Sequence, residues 1–364
     1  MANLTTHSRA NTSRNDTNSW GKSFMFFALG VIVIAVLIIQ LDKFEAVTYP
    51  MHEFGKPVAV AARKNAASLP SLEMIGMGHL NGGEDIAYDP KSGYVYTGCE
   101  DGWIKRVALK GLAVDMVVEN WVNTGGRPLG IAVADSGDVF VADGLKGVIK
   151  VSINGEMEVL TNSAEGAKLG LPDCVVVTKN GMVYFTDASY KYDYNVGIFS
   201  FLDGRPDGRL LSYDPSTKQT QVLARDLYFA NGIELSPNQD FVIVCETYMM
   251  RCSRYYLEGE KKGSMDIFID GLPGFVDNIR YDGEGHYWLG IPWDNSFSTQ
   301  VTMAYPFVRK ILAFGLTHLQ KMPDLMKFGG VMALDLDGNP IAGYFDDTWT
   351  LTTSGLKIGE HLYI

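Results

Sequence analysis

Cysteine is scarce, with 4 in 364 residues. None of Cys99, Cys174, Cys245 and Cys252 stands in a metal-type C-x-x-C pair. Basic charge is in deficit: 31 Lys and Arg against 42 Asp and Glu leave a net −11. With no cationic excess to neutralise phosphates, a nucleic-acid partner is excluded as well. Histidine is also sparse, at 6 residues, and no Ser-His-Asp arrangement is visible among them. His7 lies in the N-terminal tail, His52 and His79 precede the repeats described below, His286 falls in a turn and His361 near the end. Only His318, in an insertion, is a candidate acid or base.

What is present favours strands. An aromatic share of 12% and 39 glycines suit many short strands joined by tight turns, and do not suit a helical bundle. One long apolar run occurs, FMFFALGVIVIAVLIIQL from Phe24 to Leu41, without a charge. At about 1.5 Å per residue it just spans a bilayer core of roughly 30 Å. The long polar lead before it and the lack of a small-x-small site after it predict an uncleaved anchor rather than a signal peptide. Arg9, Arg14 and Lys22 precede the run against a single acid, Asp16, which places residues 1–23 in the cytosol and the body in a lumen. All three N-x-[ST] acceptors, Asn3, Asn11 and Asn15, lie in the tail and point the other way, but such triplets arise readily in Ser/Thr/Asn-rich segments. Residues 42–70 read as a linker.

From residue 71 to 364 the chain repeats itself. EDIAYDPKSGYVYTG from Glu84, LGIAVADSGDVFVAD from Leu129, DCVVVTKNGMVYFTD from Asp173, NGIELSPNQDFVIVC from Asn231 and DNIRYDGEGHYWLG from Asp277 share one grammar. A polar residue opens all but the Leu129 unit, and in each an alternating strand, a turn, and a β-branched or aromatic strand follow. A weaker sixth unit, GGVMALDLDGNPIAG, begins at Gly329. Period-two alternation with regular turns means antiparallel hairpins, and a period of about 45 residues is that of one four-stranded propeller blade. The sequence therefore predicts an all-β, six-bladed β-propeller preceded by a single N-terminal transmembrane helix. SLEMIGM at 71–77 is the candidate strand that closes the ring. The long third interval holds a Tyr-rich loop over one face. The stretch 296–327 reads as a helix over the channel mouth or against the membrane, or equally as a plain structural insert. Cys245 and Cys252 flank a hairpin, so a disulfide and two free thiols are both compatible with the pattern.

YFTDASYKYD, GRLLSYDPSTKQTQVLARDLYFANGIELSPNQDFVIVCET and GLPGFVDNIRYDGEGHYWLG resemble the strictosidine synthase-like proteins of plants. They are also similar to the adipocyte plasma membrane-associated group, which carries an N-terminal anchor, and more distantly to the paraoxonases and gluconolactonases. The resemblance runs from about Leu72 to Ile364 and implies a six-bladed propeller.

In a propeller the first positions of successive inner strands converge on the axis. Here these are Glu84, Leu129, Asp173, Asn231 and Asp277, with Asn278 beside the last. Carboxylates and amide carbonyls make an all-oxygen set that suits a hard cation such as Ca²⁺. For a single position the bland role of Asp or Asn in starting a strand is the stronger reading; for five converging positions it weakens. The paraoxonase resemblance implies the same ligands: Glu84, Asp173, Asn231, Asp277 and Asn278, with Asp173 standing where an amide is the pattern. It also implies a histidine pair where this chain has Leu129 and Asp143, and strictosidine synthase implies a Glu where this chain has Thr350, with Asp346 and Asp347 upstream. No Glu occurs between Glu284 and Glu360, so strictosidine formation is not expected.

The expected chemistry is cation-assisted hydrolysis of an ester or lactone bound in the channel, with Asp173 or Asp143 (or Glu84) as the base. A non-catalytic ligand-binding or scaffold propeller and a Pictet–Spengler-type synthase are the alternatives. The anchor points to the endoplasmic reticulum or, by resemblance, the vacuole.

Overall fold

The computed structural model describes residues 39–58, 63–65, 73–111, 113–319, 328–346, 348–349 and 351–364, with 25, 26, 29, 30, 33 and 36. Five of the repeats form four-stranded antiparallel sheets in sequence order. Blade 1 is built from Ala87–Asp89, Tyr94–Gly98, Trp103–Ala108 and Val118–Asn123. Blade 2 comprises Pro128–Val133, Val139–Asp143, Gly147–Val151 and Met157–Thr161. Blade 3 uses Pro172–Val177, Val183–Asp187, Gly208–Asp214 and Gln219–Leu227. Blade 4 is Ala230–Leu235, Phe241–Glu246, Arg251–Tyr256 and Met265–Ile269. Blade 5 is Ile279–Tyr281, Tyr287–Ile291, Gly329–Leu334 and Pro340–Asp346. Branched side chains such as Ile131, Val139, Val141, Ile149 and Val151 are wholly buried between sheets, as the alternation requires.

Among the described residues there are five such blades, not the six expected. The unit beginning at Gly329 does not open a new blade. It supplies the outer two strands of blade 5, pairing Tyr287 with Leu334 and Ile291 with Gly330 across the helical insertion. The sixth sector, between blades 5 and 1, holds a two-stranded hairpin, Leu356–Ile358 with His361–Tyr363. Its lead-in ties both neighbours: Asn278 N donates to Thr353 O, Thr353 Oγ1 to Glu84 O at 2.6 Å, and Ser354 Oγ to Asp85 Oδ1 at 3.0 Å. Leu362 packs on Trp288 and Val331 of blade 5.

Residues 73–77 are not a strand; Arg63–Asn65 instead adds a fifth, parallel strand to the outer edge of blade 5, with Arg63 opposite Gly343. This covers an edge that would otherwise expose unpaired backbone groups. Half of the expected membrane span, 24–41, falls outside the described residues. Those described within it are helical, and no helix among the described residues is long and apolar enough to cross a membrane. Thr350 and Asp347 also lie outside the described residues.

In each blade the first strand starts at the end where the second stops, as in Pro172 opposite Asp187. The second-to-third connections therefore rise from the face where the inner strands begin. Both insertions are connections of this kind. Blade 3 contributes helix Ile198–Asp203, and blade 5 contributes helices Phe297–Ala304 and Pro306–Leu319. They meet over blade 4, around an aromatic cluster of Tyr49, Phe201, Tyr248, Phe275 and Trp293. Arg309, wholly buried, has its guanidinium over the Tyr49 ring and donates to Thr302 O, Leu202 O and Asp203 O at 3.0–3.2 Å. A cation is favoured there because these are orphan carbonyls at helix C-termini.

On the axis, Arg280 links every sector. Its Nε donates to Asp85 Oδ1 of the blade 1 lead-in at 2.9 Å, and Nη2 pairs with Asp85 Oδ2. Nη2 also reaches Ile131 O of blade 2 and Cys174 Sγ of blade 3, each at 3.2 Å, while Nη1 donates to Ile233 O of blade 4 at 3.2 Å. Asp85 accepts in addition from Ile131 N and Ser354 Oγ. Burial lowers the Arg280 guanidinium to about 10, against the pull of Glu84, so it stays charged at neutral pH. Truncating Arg280 would strand the buried Asp85 carboxylate. Arg280→Met should therefore cost about 3–5 kcal/mol in urea denaturation, and the Arg280→Met/Asp85→Asn pair should cost less than the sum of the single changes.

Candidate metal centre on the propeller axis

The inner strands of blades 2, 3 and 4 each carry a register shift near their start, between Pro128 and Ile131, Pro172 and Val175, and Ala230 and Ile233. A β-bulge re-aims the side chains within it. The residues inside are Leu129, Asp173 and Asn231, three of the positions expected to converge. The residue after Asn231 must be small, because a Cβ at Gly232 would lie 2.4 Å from Asp277 O. A Cβ at Gly130 would sit equally close to Cys174 Cα. Close packing at the hub thus brings one blade's axial residue against the next.

Glu84, Asp173, Asn231 and Asn278 are buried, and Asp277, half-buried, joins them in one group. Asn278 Nδ2 donates to Glu84 Oε1 at 2.7 Å and lies 3.5 Å from Asp277 Oδ1. Burial raises the Glu84 carboxyl, with the Asn278 hydrogen bond and the charges of Arg127 and Arg280 opposing. Asp173 is pushed well above the ordinary carboxylate range by burial and then by Glu84's charge, with Arg127 opposing. Asp277 is pushed well up by burial, then by Glu84 and Asp173, while a hydrogen bond from Asn231 pulls it back. Three carboxyls sharing one desolvated space cannot all ionise unless positive charge joins them.

Three oxygens of this group are buried and have no hydrogen-bond partner: Glu84 Oε2, Asn231 Oδ1 and Asn278 Oδ1. All are hard donors, and all come from the expected ligand set. Carboxylates and histidines alone do not suffice here. Among the described residues, no group of three or more His, Cys, Asp or Glu side chains is disposed to hold a metal ion. A cation at this point would need the amide oxygens as well.

Leu129, the remaining axial position, turns to an apolar cluster with Leu171, Ala188 and Phe229. Asp143 is occupied elsewhere. Its carboxylate accepts from Thr124 Oγ1 at 2.7 Å and from the backbone N–H groups of Arg127, Leu145 and Lys146 at 3.0 Å. Asp187 and Glu246 hold the same place in blades 3 and 4, accepting from Leu171 N and Tyr228 N. This is a recurring clamp on the blade entrance, so Asp143 is a structural acid rather than a base. His318 pairs with Asp42 on the helical cap, 3.3 Å away, not with the axial group. Asp346 stands on the fourth strand of blade 5, where its carboxylate accepts from Thr348 N.

Sequence reading missed Arg280, Asp85 and Arg127. Arg280 was discoverable: it lies in the inner strand of blade 5 two residues beyond Asn278, and an arginine there needs a buried partner. Arg127 was not. It reaches Gly82 O at 2.9 Å and Tyr194 Oη at 3.1 Å, contacts that only the tertiary fold makes. Cys245 and Cys252, opposite one another on adjacent strands of blade 4, are joined by a disulfide, while Cys99 and Cys174 are free and buried.

The chain matches two family descriptions, "Strictosidine synthase" over residues 173–260 and "Strictosidine synthase-like, N-terminal" over residues 65–107. It is 47% identical over 343 residues to Protein STRICTOSIDINE SYNTHASE-LIKE 6 of Arabidopsis thaliana, covering 93% of this chain and 91% of that protein. It is 42% identical over 198 residues to the adipocyte plasma membrane-associated protein of Gallus gallus, covering 53% and 48% of the two chains. Among solved structures it is similar to a gluconolactonase from Xanthomonas campestris, at 16% identity and TM-score 0.52, covering 76% of this chain and 79% of the other. It is also similar to the calcium-binding protein regucalcin from Agrobacterium tumefaciens, at 18% identity and TM-score 0.53, covering 77% and 79%. At these identities the two structures share the fold.

Because burial raises Glu84, Asp173 and Asp277 in the folded chain above their unfolded values, near about pH 4, metal-free stability should fall as pH rises above that range. Thermal melts in chelator between pH 5 and 8 should show this decline. Asp277→Asn, which removes one competing charge, should make it shallower.

Proposed function

The chain belongs to the strictosidine synthase-like family, and from that premise we propose that its axial oxygens hold a divalent cation, Ca²⁺ by their chemistry, in the service of ester or lactone hydrolysis. The observation that carries the reading is the trio of partnerless buried oxygens on Glu84, Asn231 and Asn278, set among carboxyls that burial has driven up. Glu84, Asn231, Asp277 and Asn278 would hold the ion. Calcium binding by regucalcin and the lactonase activity in the name of the Xanthomonas structure are compatible with this assignment. When bound, the cation would polarise the substrate carbonyl and offset negative charge developing on its oxygen.

The chain's own residues would do the rest. Asp173 is buried beside the group, and with Asp143 committed to the loop clamp it is the carboxylate left to accept a proton from water. Arg127, held by Gly82 O and Tyr194 Oη, would bias Asp173 toward its ionised form. Leu129, Leu171 and Phe229 would supply an apolar wall for an acyl or aryl group. Arg280 would fix the floor. Strictosidine formation gains no support, since Asp346 is engaged at a turn on an outer strand.

The N-terminal run 24–41 would anchor the chain with its propeller in an oxidising lumen of the endoplasmic reticulum or vacuole. The Cys245–Cys252 bridge is compatible with that compartment.

Purified protein should melt at a higher temperature with Ca²⁺ than with chelator, and Asn278→Ala and Asn231→Ala should blunt the shift. On a panel of aryl esters and lactones, Asp173→Asn should lower turnover by about 10²–10⁴-fold while keeping a Ca²⁺-induced shift. A shift without turnover on any substrate would make the propeller a ligand-binding scaffold; turnover indifferent to both chelator and Asn278→Ala would end the metal assignment.

A further inference from the structure

From Ser296 to Leu319 the chain carries no Asp or Glu, although the whole protein has a net charge of −11. This acid-free stretch forms the blade 5 part of the helical cap. Helix Pro306–Leu319 turns Arg309, Leu312, Ala313 and Leu316 toward the body. Its opposite stripe leaves Phe307 and Ile311, one turn apart, exposed to solvent. Tyr305 and Phe297, the latter 82% exposed, are further uncovered apolar side chains of the same stretch. Large apolar side chains massed this way are unusual on a free surface and mark a docking face.

The occupant is indicated by what the helix holds. Lys310 Nζ donates to Gln40 O at 3.3 Å and Asp42 O at 2.9 Å, and His318 Nε2 lies 3.3 Å from Asp42 Oδ2. Val47 N donates to Asp203 O, and Phe44 packs edge-on against Phe199. The C-terminal end of the apolar segment is thus stitched to this helix, with Leu41 83% exposed beside it. A segment that enters a bilayer at Leu41 must bring Lys310 to headgroup level, with Phe307, Ile311 and Tyr305 at the interface. Aromatic residues and a lysine are the side chains favoured at that depth.

We infer that the helical cap lies on the bilayer, so that the face on which the inner strands begin, and near which the axial group lies, is turned toward the membrane. The blade insertions rise from that face, which fixes the orientation once the cap is docked. The site would then draw on molecules dissolved in or adsorbed to lipid, esters or lactones with a substantial apolar portion. This rests on the membrane anchor proposed above.

The test uses the full chain reconstituted in phosphatidylcholine vesicles, with a polarity-sensitive fluorophore on Phe307→Cys or Ile311→Cys. Cys99 and Cys174 are buried and Cys245 and Cys252 are bridged, so labelling is confined to the new thiol. Ile153→Cys is the control. It is exposed in the turn between the third and fourth strands of blade 2, on the opposite face of the disc. Labels at 307 and 311 should be blue-shifted and lose most of their emission when the vesicles carry nitroxide-labelled lipid, while the label at 153 should be unchanged. Carbonate extraction reports on the anchor separately. Protein that resists extraction while its 307 and 311 labels escape quenching overturns the docking and leaves the anchor intact. Protein that is extracted overturns the anchor, and the docking stands only if quenching persists before extraction. A blue shift without lipid quenching would assign the face to a second copy of the chain and overturn the proposal.

Discussion

A single guanidinium holds the centre of this propeller. Arg280 touches the lead-in to blade 1 and the inner strands of blades 2, 3 and 4, and its carboxylate partner Asp85 is tied in turn to the hairpin of the sixth sector. Propeller blades bury their faces against neighbours but leave polar backbone groups around the channel. One cation with several donors satisfies carbonyls from different blades at once. The arrangement also explains how two strands can stand in for a full blade: Ser354 and Thr353 hook the hairpin onto Asp85 and Glu84, so the ring closes through polar bonds at the hub.

The axial acids sit beside this pair in the same lead-ins. Glu84 precedes Asp85, and Asn278 lies two residues before Arg280, so the arginine that closes the floor also tempers the charge on Glu84. That field does not balance the group by itself. Glu84, Asp173 and Asp277 remain driven toward their neutral forms, and three oxygens stay without donors. Such a cluster is unfavourable as structure alone, which is why it reads as a site.

Above it, the cap is built from segments far apart in the chain. Arg309 gathers helix ends from blade 3 and blade 5, and the Tyr49 segment threads between them. The linker expected at 42–70 is thus partly integrated: Tyr49 is buried in the cap, and Arg63–Asn65 belongs to a sheet. A cap fastened to the end of the apolar segment couples the channel mouth to whatever that segment enters.

The sequence by itself determined the propeller grammar and the axial residue types. Alternation of period two, with a turn after each short strand, is local information, and Glu84, Asp173, Asn231, Asp277 and Asn278 recur at one place in that grammar. It miscounted the blades because the unit from Gly329 follows the same local pattern whether it begins a sheet or completes one. Pairing of Leu334 with Tyr287 across the helical insertion is a long-range choice, made by the apolar face of blade 5. It left the cysteine pair undecided for the same reason, since only strand register sets Cys245 opposite Cys252. Asp143 looked available for chemistry until its backbone partners were in place. Chemical type is written residue by residue along the chain; which donors and charges meet a side chain is decided only when distant strands pack, because desolvation and hydrogen bonding belong to the assembled interior.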